Sequence, residues 1–518
     1  MLNWTGHPLV DVGTAALCAM SKKDDPRNLM LEDLDAAADR MSEYYFSGLM
    51  TSYNSCVFTM NAYDNPSSGP EKRKEYEGRV LRAHRSRSDP GATQYTCPFS
   101  GEIASHLIER RQMPLLTGED VLNFYPAGRG FLPIFGPYLV ALQALPLGGR
   151  RIEGRLLIAH GDDPAITLAF AEKYLADNQR LLSLVKSGSL PLTKGPSSDL
   201  EREQAAVDAK KKTKYPDAKA PGTLIVNDLL EIYRVRMGGE FRSRPDVSVT
   251  AYWLSNSGQG PALEIFHLPA QVTRFLRIVD AAPHGTRWRS LVAKAWRSPY
   301  VKEASDNEGE EKKSDRKRKK PDTPQLPGGP GRSRNDIMAD LFAIYEHGFM
   351  DAAAAKNFLR RHLLRDTLIS GVLKLRGPET TDWPLTAIFI KEVMGMDERR
   401  IEAIKRFADR LAEHISQTND KGLFRGLVYS QRPWEVRNAL TKAQRNQAKD
   451  YGRLLFGLEE YLDVFEADSA VGFGDWSLSR DLISIRLVEQ LYSKGFFSRE
   501  DNRELLTEPE ARADEGVT

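Results

Sequence analysis

The chain has 518 residues, a formal net charge of +2, 28% charged residues and three cysteines. This length exceeds one ordinary core and predicts two or three domains, while the near-neutral charge excludes a uniformly basic surface, so any nucleic-acid surface must be local. The cysteines Cys18, Cys56 and Cys97 are odd in number and far apart, which argues against a disulfide framework and favours a reducing compartment.

The sequence pattern indicates neither secretion nor a membrane-spanning helix. The N-terminus lacks the charged and then apolar pattern of a secretory signal. The longest apolar run, 131–147, is interrupted by three prolines and is shorter than a membrane-spanning helix requires. We therefore expect a soluble, cytoplasmic protein without a membrane partner.

The first part of the chain alternates between helical and strand patterns. We predict helices over 10–20 and 29–48, the second with one apolar face, and a strand over 52–63. A proline-bounded basic loop over 66–90 is predicted to follow. The helical face carries Leu31, Leu34, Ala38 and Met41.

The middle of the N-terminal half predicts a turn, a strand and a helix. Cys97-Pro-Phe-Ser-Gly101 has the shape of a zinc knuckle, but serine at the second ligand position does not replace a thiolate, so we predict a knuckle-like turn without metal and no cofactor. A strand over 152–159 and a helix over 165–186 are predicted next.

The pattern remains mixed up to residue 301. A lysine-rich insertion over 188–222 is predicted to be a second basic loop, and 223–237 reads as a strand leading into a helix. Alternation over 247–253 and again near 263–267, around a glycine-containing turn, predicts an antiparallel hairpin. Helices from 270 and over 286–296 complete an α+β N-terminal region over 1–301.

Residues 302–334 are predicted to be a disordered linker. They turn from acidic to basic and end in Pro and Gly, with almost no apolar residue to bury, so burial cannot offset the entropy of ordering them. The basic run is consistent with nucleic-acid contact or an address signal, although a solvated tether is the favoured interpretation.

Beyond the linker, residues 335–518 show only helical periodicity, which predicts an all-α helical-bundle C-terminal domain. The three clearest apolar stripes are Ile401, Ile404, Phe407, Leu411, Ile415; Leu440, Tyr451, Leu454, Leu455, Leu458, Leu462; and Leu478, Leu482, Ile485, Val488.

Two regions are candidate phosphate-binding surfaces. The 66–90 loop is equally compatible with backbone binding and with ordinary solvation; its candidates are Lys72, Arg73, Lys74, Arg82, Arg85 and Arg87, with Arg129 in a separate glycine-flanked loop. Two rows of basic residues on C-terminal helices slightly favour phosphate binding over ordinary solvation: Arg399, Arg406, Arg410 and Lys442, Arg445, Lys449, Arg453.

A possible metal site is the cluster His160, Asp162 and Asp163. An imidazole and two carboxylates are suitable ligands for a divalent cation. An aspartate before a proline is, however, typical of a turn, and either carboxylate is placed to cap the helix that follows. The cap is the favoured interpretation.

Three segments together resemble the large subunit of type I-B CRISPR interference complexes (Cascade), in the subfamily named for paired CXXC motifs. They are Asn3-Trp-Thr-Gly-His-Pro-Leu-Val-Asp-Val-Gly13, the Cys97-Pro-Phe-Ser-Gly101 turn, and Leu145-Pro-Leu-Gly148. Only Cys97 remains of the first pair, and Phe135-Gly-Pro-Tyr138 lacks both cysteines of the second. The motifs cover about residues 1–160, and the rest matches in layout.

The resemblance implies a non-catalytic subunit that contacts the guide RNA (crRNA) and the target double-stranded DNA. It would read the short flanking motif (PAM), support opening of the duplex (the R-loop), and recruit the helicase-nuclease, while base pairing with the guide reads the bulk of the sequence. The implied protein partners are the backbone subunits, the guide-end-capping subunits and a small subunit of the complex.

Related complexes produce the small subunit from an internal start in the large-subunit gene. Lys391-Glu392-Val393 can be encoded as a ribosome-binding sequence shortly before Met396. This arrangement predicts a second product over 396–518.

Two other function classes remain open. A metal-dependent nuclease would use His160, Asp162 and Asp163, although a two-metal site needs further carboxylates. A stand-alone DNA-binding regulator with a helical dimerisation domain would be a homodimer without co-purifying RNA, whereas the RNA-guided subunit would bring RNA with it.

Overall fold

A computed structural model describes residues 2–46, 51–58, 69–109, 111–115, 131–152, 154–187, 221–236, 246–257, 260–295, 337–344, 352–363, 382–430, 432–465 and 476–506. These residues form two compact units. The first is built from described residues up to Ala270, and the second from those between Gln271 and Leu506. The predicted linker over 302–334 and the 188–220 part of the predicted second loop lie outside the described residues.

The first unit contains helices and short antiparallel strands. Its helices are α1 (Pro8–Ser21), α2 (Leu31–Phe46), α3 (Thr51–Val57), α4 (Pro70–Tyr76), α5 (Gly136–Ala144), α6 (Pro164–Lys186) and α7 (Pro221–Arg236). Its strands are β1 (His106–Ile108), β2 (Leu132–Ile134), β3 (Arg150–Ile152), β4 (Arg155–Gly161), β5 (Val249–Ser257) and β6 (Gly260–Leu268).

The strands form two antiparallel sheets. One contains β1 and β2, and the other has the order β3-β4-β5-β6. The predicted hairpin is confirmed, since β5 pairs with β6 from Val249 opposite Leu268 to Ser257 opposite Gly260. The predicted strand over 152–159 is interrupted at Gly154, whose positive φ of +79° turns the chain between β3 and β4.

Helix α1 is the centre of the first unit. Its buried residues lie on every side of the helix, because α2, α5, α6 and β4 all pack against it. A helix buried all round needs small residues wherever a neighbouring backbone approaches closely. At Gly13, a Cβ atom would lie 1.9 Å from the carbonyl oxygen of Ala141 in α5, so glycine is the residue that this crossing requires.

Three predictions of local structure in the first unit are wrong. The predicted strand over 52–63 is helix α3 where it is described, because Tyr53, Cys56 and Val57, spaced three and one apart, face the core together. The predicted strand at the start of 223–237 is part of α7. The predicted loop over 66–90 contains α4 and a π-helical turn, Glu77–Leu81, whose Val80 and Leu81 are buried.

The second unit is helical throughout its described residues. Its helices are α8 (Ala270–Asp280), α9 (Gly285–Ala295), α10 (Ile337–Ala343), α11 (Ala352–Phe358), α12 (Trp383–Glu392), α13 (Glu398–Thr418), α14 (Lys421–Val428), α15 (Pro433–Tyr451), α16 (Leu458–Phe465), α17 (Trp476–Ser493) and the short α18 (Glu500–Arg503).

Helices α8 and α9 precede the predicted linker in the chain but pack with the helical unit. The Phe275 ring of α8 lies 5.6 Å from that of Trp288 in α9 and 5.4 Å from that of Phe389 in α12, both edge to face. Aromatic contacts of this geometry add to the free energy of burial. These contacts show that residues 271–295 pack with the C-terminal helices.

Two of the three predicted apolar stripes of the bundle are buried, namely the one on α13 and the one on α17. The third is wrong in its second half, since Leu440 and Leu455 are buried while Tyr451, Leu454, Leu458 and Leu462 are 59%, 66%, 73% and 42% exposed. The reason is that α15 ends at Gly452, whose φ is +65°. Helical spacing across that break no longer places the residues on one face.

The predicted fold class is confirmed: a mixed N-terminal half with small antiparallel sheets precedes a chain that is entirely helical after residue 380 where it is described. Within the same described residues, no helix combines the length and the apolar character needed to cross a bilayer.

The α1–α5 crossing gives a direct stability test. Gly13→Ala places a methyl group against the Ala141 carbonyl and should lower the free energy of unfolding by about 3 kcal/mol or more. Gly78→Ala is the matched control, because a Cβ there has no atom within 4 Å. Thermal unfolding followed by circular dichroism measures both, and equal stability of the two variants would contradict the close crossing.

Candidate nucleic-acid interface

Arg82 and Arg85 of the first predicted basic region are held by carboxylates. The guanidinium of Arg85 contacts Asp35 of α2 at 2.9 Å, and that of Arg82 forms an ion pair with Asp39 and lies 3.6 Å from Asp35. The hydrogen bond from Arg85 leads the effects that hold the pKa of Asp35 below its usual value. Both arginines therefore fasten the turn after α4 to α2, and their charges are already partnered.

The remaining candidates of this region are less constrained. Lys72, Lys74 and Arg87 are exposed, and no carboxylate among the described residues lies within ion-pair distance of them. Arg73 is half-buried, and its Nε is a buried atom without a hydrogen-bond partner. Arg129 lies outside the described residues.

The basic row of α13 faces acidic residues of α16. Arg410 Nη1 lies 2.7 Å from Glu460 Oε2, and Arg399 Nη2 lies 3.8 Å from Asp463 Oδ2. Arg406, between them, is exposed and has no such partner among the described residues. Two of the three guanidiniums therefore contribute to helix packing, which leaves one freely available cation in this row.

The basic row of α15 differs in being unpaired. Lys442, Arg445, Lys449 and Arg453 are all exposed, and within the described chain none of them has a carboxylate within 4.0 Å. The opposite side of the helix is buried through Val436, Leu440, Ala443 and Gln447. Packing therefore fixes this helix so that Lys442, Arg445 and Lys449 point to solvent in one row. Arg453 lies beyond the Gly452 cap, where helical spacing no longer places it on this face, so it does not continue the predicted row.

One further side chain extends the same face, and the sequence analysis missed it. Trp434 is 51% exposed and precedes Arg445 by eleven residues, about three helical turns, so helical spacing places it on this side. Arg437 is also exposed and unpaired among the described residues, but it lies five residues before Lys442 and therefore about 140° around the helix from it. An exposed indole next to a row of cations is suited to stacking on a nucleobase.

Negative charge is nearly absent from this face. The acidic residues of α15 are Glu435 and Asp450. Glu435 Oε2 accepts a hydrogen bond from the Arg432 backbone N–H at 3.2 Å, as part of a capping box. The Glu435 carboxylate therefore caps the first turn of the helix. The name "α15 face" is used below for Trp434, Lys442, Arg445 and Lys449.

A second candidate site lies in the first unit, where the N-terminal motif is organised around Asp11. Its Oδ1 accepts hydrogen bonds from the N–H and the hydroxyl of Thr5, both at 2.8 Å, and its Oδ2 accepts one from the Gly6 N–H at 2.8 Å. His160 Nε2 lies 3.3 Å from Oδ2. Burial pushes the Asp11 pKa upward, but these hydrogen bonds outweigh it and keep the pKa below its usual value.

The other two segments that carry the sequence resemblance both pack against the N-terminal segment. The His7 ring packs edge to face on Phe99 of the Cys97 turn, with centroids 5.2 Å apart. The Asn3 N–H donates to the hydroxyl of Tyr138 at 2.9 Å. A Cβ on Gly148, the last residue of the third segment, would lie 2.9 Å from the carbonyl oxygen of Val12 in α1.

The Cys97 segment forms the predicted knuckle-like turn. The Gly101 N–H donates to the Cys97 carbonyl at 2.9 Å, the Cys97 N–H donates to the Glu102 carbonyl at 2.7 Å, and Gly101 has a φ of +74°. The Cys97 side chain is buried. Among the described residues, no group of three or more His, Cys, Asp or Glu side chains is arranged to hold a metal ion.

The His160, Asp162 and Asp163 cluster has structural roles. Asp163 Oδ1 accepts a hydrogen bond from the Ala165 N–H at 2.9 Å, which confirms the predicted cap of α6. Asp162 accepts the backbone N–H and the hydroxyl of Ser248, at 3.0 and 2.9 Å. The two carboxylates thus bind different parts of the chain, an arrangement that favours the structural interpretation over a metal site.

A buried titratable cluster, missed by the sequence analysis, joins α6 to α7. The Tyr174 hydroxyl donates to Asp228 Oδ2 at 3.1 Å, and Lys173 Nζ lies 3.6 Å from Asp228 Oδ1. Burial raises the pKa of Asp228 to about 6, against the opposing effect of Lys173. No motif marks this cluster, because its members come from helices far apart in the chain.

Comparison of the chain with models of known protein families, with curated proteins and with solved structures found no match.

The Asp228 cluster predicts a pH dependence of stability. The pKa of about 6 in the folded state exceeds the usual 3.8, so the folded state binds the proton more tightly and this group makes stability fall as pH rises from 4 to 6. Asp228→Asn removes that fall. Between pH 4 and pH 6 the free energy of unfolding of this variant, relative to that of wild type, should therefore rise by at most about 3 kcal/mol.

Chemical denaturation at several pH values measures this effect. Tyr174→Phe is the contrasting variant, because it removes a hydrogen bond that lowers the Asp228 pKa, and it should make the fall steeper. The same pH profile for wild type and Asp228→Asn would show that Asp228 titrates normally.

Proposed function

We propose that the protein is a non-catalytic, nucleic-acid-binding subunit of an RNA-guided complex of the type I-B CRISPR class. The observation that carries the proposal is the α15 face, in which Lys442, Arg445 and Lys449 lie in one exposed row without a carboxylate partner among the described residues. When such cations neutralise the phosphates of a nucleic acid, the counterions condensed on the nucleic acid are released, and this release drives binding.

The spacing of the row fits a phosphate backbone. Lys442, Arg445 and Lys449 are three and four residues apart, so they recur about once per helical turn of about 5.4 Å. Phosphates along one nucleic-acid strand lie a comparable distance apart. The row therefore contacts consecutive phosphates without requiring base readout, as the role of binding guide and target backbones needs.

The meeting of the three motif segments in the first unit also supports the proposal. The Cys97 turn contacts His7 through Phe99, and Gly148 approaches the Val12 carbonyl, so both other segments pack against the N-terminal one. The large subunit of such complexes reads the flanking motif of the target, and the ordered N-terminal loop is our proposed location for that reading. Recruitment of the helicase-nuclease and contacts with the other subunits belong to the same proposal.

The internal start at Met396 is a further part of this proposal. A product over 396–518 would contain α13 to α18, including the α15 face, but would lack α12. In the full chain, Trp383 of α12 donates to Glu489 Oε2 of α17 at 2.9 Å, and the Met396 side chain is buried. Silencing the Met396 codon without loss of a small band from the purified complex would exclude the second product.

The salt dependence of binding tests the α15 face. Lys442→Gln/Arg445→Gln/Lys449→Gln should lower the slope of log affinity against log salt by about 2.7 on duplex DNA, at about 0.9 per lost contact. The matched control is Arg399→Gln/Arg406→Gln/Arg410→Gln, in which only Arg406 is unpaired among the described residues, so a decrease of about 0.9 is expected.

Fluorescence anisotropy across a salt series measures both triple variants. Equal slopes for the α15 triple variant and the wild type would exclude the α15 face as a phosphate-binding surface. Circular dichroism checks that all the variants remain folded.

Co-purification separates the function classes. The RNA-guided subunit, expressed with its neighbouring genes, should carry RNA and should leave magnesium-supplemented DNA intact unless a nuclease is added. The metal-dependent nuclease would cleave DNA unaided, and the stand-alone regulator would be an RNA-free homodimer by light scattering. Either of these outcomes would refute the proposal.

A further inference from the structure

We propose that the C-terminal segment 507–518 docks on the α15 face and competes there with nucleic acid. This segment, the acidic tail, follows the last described residue, Leu506, and contains Glu508, Glu510, Asp514 and Glu515 against one basic residue, Arg512. The proposed docking depends only on charge complementarity and on the length of the tail. The competition with nucleic acid depends in addition on the function proposed above.

The last described residues before the tail lie next to the segment that joins α14 to α15. The Tyr429 hydroxyl donates to the Leu505 carbonyl at 2.6 Å, and Lys421 Nζ donates to the Asp501 carbonyl at 2.7 Å. Tyr429 directly follows α14 and lies four residues before Pro433, the first residue of α15. Four residues span at most about 14 Å, so the tail begins close to the N-terminal end of the α15 face.

Helices α14 and α15 also pack closely, which fixes this starting point relative to the basic row. A Cβ on Gly426 of α14 would lie 2.3 Å from the Ala439 Cβ of α15. Ala439 precedes Lys442 by three residues, so this edge of α15 adjoins the basic row. The residues that precede the tail are therefore anchored next to α14, the helix that packs against α15 beside the basic row.

The length of the tail matches the surface. Twelve residues reach at most about 40 Å when extended, and the nineteen residues of α15 span about 28 Å. The tail therefore reaches every cation of the row from its starting point. Because it is part of the same chain, its effective concentration at the face is high even if each contact is weak.

Charge complementarity identifies the occupant. Among the described residues, the cations of the α15 face have no carboxylate within 4.0 Å, and four carboxylates follow Leu506 within nine residues. Each contact is an exposed ion pair, weak and screened by salt. A nucleic acid that offers many phosphates at once displaces such contacts. A polyanion that makes few contacts does not, so the tail reduces the binding of weak polyanions.

Zero-length carbodiimide cross-linking of the full-length protein tests docking directly. We expect cross-links between tail carboxylates and Lys442 or Lys449 at low ionic strength, and their loss at high salt or on addition of an oligonucleotide. The internal control is Lys405 with Glu402, which lie 2.6 Å apart. Control cross-links without any from the tail to α15, or tail cross-links that join two chains, would overturn the proposal.

Binding affinity tests the competition. Glu508→Gln/Glu510→Gln should bind a labelled oligonucleotide about 3-fold more tightly than wild type at low ionic strength, and the difference should disappear at high salt. The matched control, Glu500→Gln/Asp501→Asn, removes two exposed carboxylates just before the tail and should bind like wild type. Equal affinities of the tail variant and its control would overturn the competition.

The two proposals fail in distinguishable ways. Tail cross-links in a protein that binds no nucleic acid would support docking and refute the proposed function. Normal salt-dependent binding through α15 without tail cross-links would leave the proposed function in place and refute docking.

Discussion

The close crossing of α1 and α5 is the constraint on which the first unit depends. Glycine at position 13 lets the backbone of α1 approach the Ala141 carbonyl, and this approach buries α1 against helices and sheet on all its sides. Since Asp11 lies on the same helix, the crossing also fixes the carboxylate that holds the Thr5 and Gly6 amides. Loop geometry at the surface thus follows from packing at the centre.

In the second unit, ion pairing decides which basic residues are available. Arg399 and Arg410 of α13 face carboxylates of α16, whereas the cations of the α15 face have no such partner among the described residues. A guanidinium already paired with a carboxylate must exchange that contact to bind a phosphate, and it gains correspondingly less. The two basic rows therefore differ in their capacity to bind a polyanion.

The same reasoning connects the acidic tail to function. A face made only of unpaired cations attracts any polyanion, including those that the protein has no role in binding. In the docking that we propose, the tethered carboxylate segment raises the threshold for binding, and a long nucleic acid still displaces it.

The sequence by itself determined the elements with long, uniform periodicity: α1, α13 and α17, the β5–β6 hairpin, and the division into a mixed half and a helical half. It also placed the cap of α6 at Asp162 or Asp163, of which the structure selects Asp163. In each of these, neighbouring residues carry the signal, because helical or strand spacing and capping are local properties of the chain.

Only the tertiary structure decided which apolar and charged side chains are buried, paired or free. Tyr451, Leu454, Leu458 and Leu462 look like a core stripe but are exposed, since α15 ends at Gly452. Arg82 and Arg85 look like phosphate ligands but hold α2. Burial and charge pairing depend on partners distant in the sequence, and local periodicity contains no information about those partners.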